Sequence, residues 1–422
     1  MKVLIAAIAC HPTAGSEAYV GWQAVNILRR EHELSVLTSL WCREAIEKAV
    51  KAGEGWERVR FVYVDEKRGE KPCHPNRLIA RLHSWIDYRR WCKDACEIAR
   101  QLIKQEQFVL AHHVTYASWR MGSPLAGLGI PWIWGPIGGG ERFPWKLAGI
   151  LSPVAALFEI VRSVDDWISK RASKVKKAAT DASLIIASNQ ETKDLIVELG
   201  TPSKKVYILS QAFLGSAKIH SLQAPEKQSP HEIGYLKILA GGNLEGRKGA
   251  AITLHGLALA KRIGVPFRYS YLGRGPELVK LVRLTEELGI TSHVSFIDSL
   301  RGDAYVDKLK SGHIFLQPSL RESAGLTLIE AMAAGCVPVV ANCGGPWDIV
   351  SAAGVHAISV GSVNEMAKMI AERLAELWKL PLSWSTQSES SAKAIREKYS
   401  AEYYGTEINR YYRIAVARAE VI

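Results

Sequence analysis

Short apolar runs alternate with longer periodic segments along most of the chain, and this alternation is the strongest constraint on how it can fold. The runs at 3–9, 34–38, 59–64, 108–112, 131–134, 183–187 and 205–209 have the length and apolar content of strands. Strands without polar alternation are buried on both faces, so the intervening helices must cover both sides of a parallel sheet. The pattern lapses at 214–233, "LGSAKIHSLQAPEKQSPHEI", a polar stretch with two prolines that reads as a linker. It resumes with runs at 236–240, 267–272, 293–297, 313–317 and 337–341. The expected architecture is α/β, with two doubly wound domains at 1–213 and 234–399 facing a cleft. Ligands of such sheets sit beyond the carboxyl ends of the strands. The segment 391–420 reads as one long basic and aromatic helix, and about 400–422 is expected to return to the first domain and complete it.

The chain has 422 residues, 48% apolar and 23% charged, which suits a globular protein and excludes disorder. Its formal charge of +12 suits a nucleic acid, an anionic membrane surface or a phosphate-bearing ligand. No nucleic-acid-binding motif accompanies the charge, which argues against the first. The seven cysteines are irregularly spaced without a C-x-x-C, so a disulfide framework or zinc site is not expected and a reducing cytoplasm fits. The opening "MKVLIAAIACHP" reads as a buried first strand, and no run of 18 apolar residues is present.

The stretch "SLRESAGLTLIEAMAAGCVPVV", 319–340, is a loop, a helix and a strand. Glu330 is the helix's one carboxylate, among Leu, Ile, Ala, Met and Thr, and burying it demands a partner. Either a polar ligand supplies that partner or a distant Arg or Lys does. Glu322 stands eight residues earlier, roughly 12 Å at a helical rise, about the reach from the sugar of a nucleotide diphosphate sugar to its ribose. Ser323 and Ala324 lie in the loop, and Gly325 and Leu326 open the helix with unpaired N–H groups suited to phosphate. In "LAGGNLEGRKGAA", 239–251, the cations Arg247 and Lys248 follow a glycine loop that holds Gly242 and Asn243. This is a possible diphosphate clamp or an ordinary basic turn, and it is not a P-loop because no Ser or Thr follows the lysine. "YLGRGPEL", 271–278, places Gly273 in a second glycine turn. In the first domain Gly15 and Ser16 cap the opening helix. His112 and His113 end one strand, and Gly138, Gly139 and Gly140 lead to Glu141 and Arg142. Either histidine could equally be a satisfied core residue, while the three glycines would let a ligand approach the backbone. No D-x-D ends a strand, so a metal-held diphosphate is not expected.

In their order, the Glu322/Glu330 pair, "GNLEGRKG", "YLGRGPE", "PSLRESAG" and "NCGGPWDIV" resemble the nucleotide-sugar-dependent glycosyltransferases of group 1, or family 4. The likeness is strong over 240–350 and looser in the first domain, through "AGSEA" and "HHVTYASWR…WGPIGGGE". It implies two Rossmann-like domains of the GT-B type and a retaining hexosyl transfer from a UDP-, GDP- or ADP-sugar, with no cofactor or metal. Arg247 and Lys248 would hold the leaving diphosphate with the amides of Gly325 and Leu326. Glu330 would hold the ribose, Glu322 the donor sugar, and Phe296 and Ile297 would flank the base. Many members carry Arg where this chain has Asn243, and His where it has Gly135-Pro136, which leaves His113 or Glu141 as the first-domain candidate. The implied setting is bacterial polysaccharide or glycolipid assembly on a sugar or lipid-linked acceptor, in the cytoplasm or on the membrane's inner face. The rival reading is a non-catalytic binder of nucleotide sugar or glycolipid. Residues 142–177 hold eight Lys or Arg against three Asp or Glu among aromatic and apolar residues, which suits either a lipid interface or a solvated helix face.

Overall fold

The computed structural model describes residues 1–15, 17–65, 77–223, 227–298 and 300–419. All twelve apolar runs form strands. β1–β7 are Lys2–Ala7, Glu33–Ser39, Val59–Val64, Leu110–Thr115, Trp132–Ile137, Leu184–Ala187 and Val206–Ile208. They build one parallel sheet in the order β3-β2-β1-β4-β5-β6-β7. β8–β12 are Leu236–Gly241, Phe267–Leu272, Val294–Ile297, Ile314–Leu316 and Val337–Val339, ordered β10-β9-β8-β11-β12 and also parallel. Each order reverses direction once, at β1/β4 and at β8/β11. Such a switch point splays the following loops apart and opens a crevice at the strands' carboxyl ends. The central strands are buried except at Lys2 and Lys237, as their lack of polar alternation requires.

The chain divides into two compact units. The first comprises Met1–Gly140, Asp165–Gln211 and Gly405–Ile422, and the second Glu141–Val164 and Ala212–Tyr404. The helix-rich segment after Gly140 was expected in the first domain. It groups with the second because Phe143, Leu147, Ile150 and Leu151 enter that unit's core beside Leu244 and Tyr271. Gly246 makes room for it, since a Cβ there would lie 2.8 Å from Leu151 Cδ2.

Two further expectations change. The supposed linker contains a helix, Ser216–Leu222, whose Ile219 and Leu222 are three residues apart on one buried face. A capping box between Ser229 and Glu232 then starts Pro230–Ile233. The long C-terminal helix is two, Pro381–Lys398 and Ala401–Ala419. Leu214 interrupts it: its N–H donates to Tyr399 O at 2.9 Å, and it accepts from the Ala401 N–H at 2.8 Å. The last helix does return to the first unit, where the Tyr412 hydroxyl lies 2.8 Å from His112 Nδ1.

Candidate active site

Within the second unit, the loops after β8 and β11 meet at the switch point. Glycines set how closely. Gly249 has φ +72°, and a Cβ there would lie 2.3 Å from Pro318 O. The Leu320 N–H donates to Arg247 O at 2.8 Å, and Arg247 Nη1 donates to Arg321 O at 2.9 Å. A third loop supports them from behind: Gly345 N–H donates to Glu322 O at 2.9 Å, and a Cβ on Gly345 would meet Ser323 O at 2.1 Å. The "NCGG" segment is thus a backbone buttress for the 322–324 loop.

On this frame Lys248 Nζ lies 2.6 Å from Glu322 Oε2, with both side chains largely buried. Burial pushes the Lys248 ammonium down, and Glu322 only partly restores it. Burial also pushes Glu322 up, but Lys248 and Arg247 outweigh it and hold the carboxyl below its ordinary range. The two shifts favour opposite members of the pair. Direct contact at 2.6 Å decides for the ion pair, since separating two buried charges leaves each uncompensated. Arg247 also pairs within its own turn, Nε to Glu245 Oε2 at 2.8 Å.

Eight positions after Glu322, Glu330 has protein partners. The Tyr305 hydroxyl donates to its Oε2 at 2.7 Å, and Lys218 Nζ stands 3.6 Å from its Oε1. Burial and the adjacent carboxylate push the Tyr305 phenol far up, so it remains a donor. The sequence did not single out Tyr305 or Lys218. Lys218 lay in the supposed linker, and no periodicity marks a helix surface residue as the partner of a distant carboxylate. Gly325, at φ +79°, starts the helix Leu326–Ala333, and Leu326 is 44% exposed.

Gly273 has φ +142°, and a Cβ on it would lie 2.2 Å from Gly242 O. The 271–275 turn therefore seats the 242–244 loop, with the Tyr271 hydroxyl 3.3 Å from Asn243 O. Ile297 O accepts from the Gly273 N–H at 2.9 Å, which places the end of β10 beside this turn. The Phe296 ring centroid is 6.5 Å from that of Tyr271. Glu141, 2% exposed, accepts from the Ser323 hydroxyl at 2.8 Å in the second unit, with Arg162 Nη2 at 3.9 Å. Arg321 makes a two-pronged pair with Glu159, Nε–Oε2 2.9 Å and Nη2–Oε1 2.6 Å. These acids come from the segment that had been expected elsewhere.

The first-unit candidates are placed differently. Gly15 is exposed ahead of the helix Glu17–Leu28, and Ser16 lies outside the described residues. His112 is a satisfied core residue between Tyr412 and Gly135 O, 2.6 Å from Nε2, and burial lowers it to about 4. His113 is 1% exposed, with Nε2 3.5 Å from the Tyr88 hydroxyl, and burial lowers it to about 3. Neither is presented to solvent. The room at the triple glycine is taken by protein: Arg120 Nη2 donates to Gly139 O at 2.7 Å, and Gly140 N–H donates to Thr192 Oγ1 at 3.1 Å.

Comparison with known proteins gives this geometry a context. Residues 224–398 match the family model "Glycosyl transferases group 1". Mannosylfructose-phosphate synthase of Agrobacterium fabrum is 24% identical over 369 residues, covering 83% of this chain and 77% of that protein. Sucrose synthase 2 of Tulipa gesneriana is 30% identical over 139 residues, 30% of this chain but only 16% of that protein. Among solved structures, HepE of Anabaena in complex with UDP superposes with TM-score 0.61 at 15% identity, covering 97% of this chain and 99% of that one. Sucrose-phosphate synthase of Thermosynechococcus elongatus gives 0.64 at 14%, covering 99% of both. At these identities the superpositions establish the fold.

Proposed function

We propose that this chain, whose residues 224–398 match the group 1 glycosyl transferase model and whose fold is of the GT-B type, moves a hexosyl group from a nucleotide diphosphate sugar to an acceptor hydroxyl with retention, without a metal. The observation that carries the reading is the Lys248–Glu322 pair, 2.6 Å apart beside the start of the helix that bears Glu330. As the bond between the anomeric carbon and the diphosphate oxygen breaks, its electron pair stays with the diphosphate. Lys248, Arg247 and the amides at Gly325 and Leu326 lower the energy of that charge, and they are fixed before it forms. Glu322 accepts from sugar hydroxyls, and its contact with Lys248 fixes the orientation of both side chains. Glu330, steadied by Tyr305, accepts from the ribose. Phe296 and Ile297 flank the base. The acceptor oxygen attacks from the face the diphosphate leaves, and no protein nucleophile is assigned. UDP and UDP-glucose complexes of the structural neighbour from Anabaena support a nucleotide-sugar donor. The acceptor is a sugar or lipid-linked hydroxyl in bacterial polysaccharide or glycolipid assembly.

The test is release of nucleotide diphosphate from UDP-, GDP- and ADP-hexoses offered with saccharide acceptors, with and without EDTA. Turnover on one donor that survives EDTA is expected. Tight donor binding with no turnover on any acceptor would make the chain a binding protein, and turnover abolished by EDTA would overturn the metal-free reading.

A further inference from the structure

The helix Pro153–Arg171 is inside out. An amphipathic helix on a globular surface ordinarily turns its apolar stripe to the core. Here Val154, Leu157, Ile160, Val164, Trp167 and Ile168 are 49–65% exposed. At 100° per residue they share one half of the helix. The acids are turned to the protein: Glu159, 5% exposed, pairs with Arg321, and Asp165 and Asp166 pair with Arg120. Small Ala155 and Ala156 pack against the second unit's core, the ion pairs hold the rest of the inner face, and the large apolar residues are left outward. An exposed apolar surface of this extent is costly in water and marks an interaction surface.

The charges around the stripe identify the partner. With the acids of 142–177 committed to ion pairs, the charged residues of that segment on the exposed surface are Arg142, Lys146, Arg171, Lys176 and Lys177, all basic. In sequence, Arg142 and Lys146 precede the stripe and Arg171, Lys176 and Lys177 follow it. Arg171 stacks over the Trp167 ring, 4.0 Å from its centroid, joining a cation to an amphipathic ring at the stripe's edge. A second copy of this chain, set across a two-fold axis in either direction, would oppose basic ends to basic ends. An anionic lipid surface meets both demands: acyl chains accept the stripe and headgroups the cations. No described helix is long and apolar enough to cross a membrane, so the seat is in the interface plane. We propose that Pro153–Arg171 is a lipid-interface helix that docks the protein on anionic membranes. The docking is independent of the transfer reaction proposed above, and its test uses no sugar donor.

The whole chain is floated with phosphatidylglycerol–phosphatidylcholine vesicles and with pure phosphatidylcholine vesicles, at low and high salt. Flotation is expected on the anionic vesicles at low salt, with at least about a tenfold loss on neutral vesicles or at high salt. The triple variant Leu157→Gln, Val164→Gln, Trp167→Gln should lose flotation by a similar factor while still binding UDP or GDP in calorimetry as the wild type does. Arg171→Gln with Lys176→Gln and Lys177→Gln should also lose it, leaving the apolar stripe intact. A wild-type chain that stays unbound at low salt, equal binding to neutral vesicles, or a triple variant that floats normally would each overturn the proposal. So would sedimentation showing a wild-type dimer that the triple variant breaks, which would assign the stripe to self-association.

Discussion

Lys248 and Glu322 come from loops 74 positions apart, and neither is stable as a buried charge without the other. In the proposed reaction the lysine matters most as the diphosphate leaves, so Lys248→Ala should lower kcat about 100- to 1,000-fold, read in steady-state turnover. Near-normal turnover would remove it from the mechanism. The two glutamates should separate by ligand. Glu330→Ala is expected to weaken the free nucleotide diphosphate and the nucleotide sugar alike, since both carry the ribose. Glu322→Ala should weaken mainly the nucleotide sugar. Calorimetry with both ligands on both variants decides, and equal losses in all four titrations would contradict the assigned roles. The Tyr305 hydroxyl on Glu330 and the Ser323 hydroxyl on Glu141 show that each carboxylate near this loop has a protein donor. That answers the buried-carboxylate problem at Glu330 without a ligand, while leaving its remaining acceptor capacity for one.

At the scale of elements, the site is a stack of turns held together by missing side chains. Gly242, Gly249, Gly273 and Gly344 have positive φ, and three of the four sit where a Cβ would strike a neighbouring carbonyl. Gly344 would strike Glu322 O at 2.6 Å. Gly273→Ala should both strain the backbone and push the 242–244 loop, costing about 1–3 kcal/mol and weakening nucleotide binding. Gly264→Ala has a similarly positive φ of +79° but nothing within 4 Å, so it should pay only the backbone term, about 1 kcal/mol, with nucleotide affinity unchanged. Urea unfolding and calorimetry on both variants check this, and equal effects on affinity would show that the contact with Gly242 does not hold the loop.

At the scale of the molecule, the last helix ties the far end of the chain to the first unit's core. His32 Nε2 lies 2.6 Å from Asn409 Oδ1, and Tyr412 satisfies His112 across 300 positions. Tyr412→Phe should therefore destabilise the first unit by about 1–3 kcal/mol, by leaving a buried ring nitrogen unpaired, and should spare nucleotide affinity in the second. The pH dependence has a definite sign. His112 is depressed from 6.5 to about 4 by burial, which the contact with Gly135 O only partly offsets. Its contribution is fully present above 6.5 and is lost as pH falls towards 4, because the unfolded chain takes up the proton first. Unfolding free energy measured between pH 7 and pH 4 should fall over that window. A flat profile would mean that His112 is not held neutral by the core.

The twelve strands, their parallel pairing and the pairing of a glycine loop with an E-x7-E stretch were readable in the sequence. Apolar periodicity is local, and buried parallel strands need no information from elsewhere in the chain to be recognised. Lys248 and Glu322 were each legible as motif residues, because both stand just beyond strand ends whose positions the periodicity marks, but their contact with each other was not. What surrounds them was not. That Lys218 leaves a supposed linker to reach Glu330, that Leu214 divides the C-terminal helix, and that 141–164 joins the second unit all follow from contacts between segments far apart in sequence. The outward turn of Pro153–Arg171 is the plainest case. The helix's sequence pattern has an apolar half and a charged half and does not say which one faces water. Arg321, 162 positions from Glu159, and Arg120, 46 positions from Asp166, decide it by paying for burial of the acids with ion pairs that only the folded chain brings within reach.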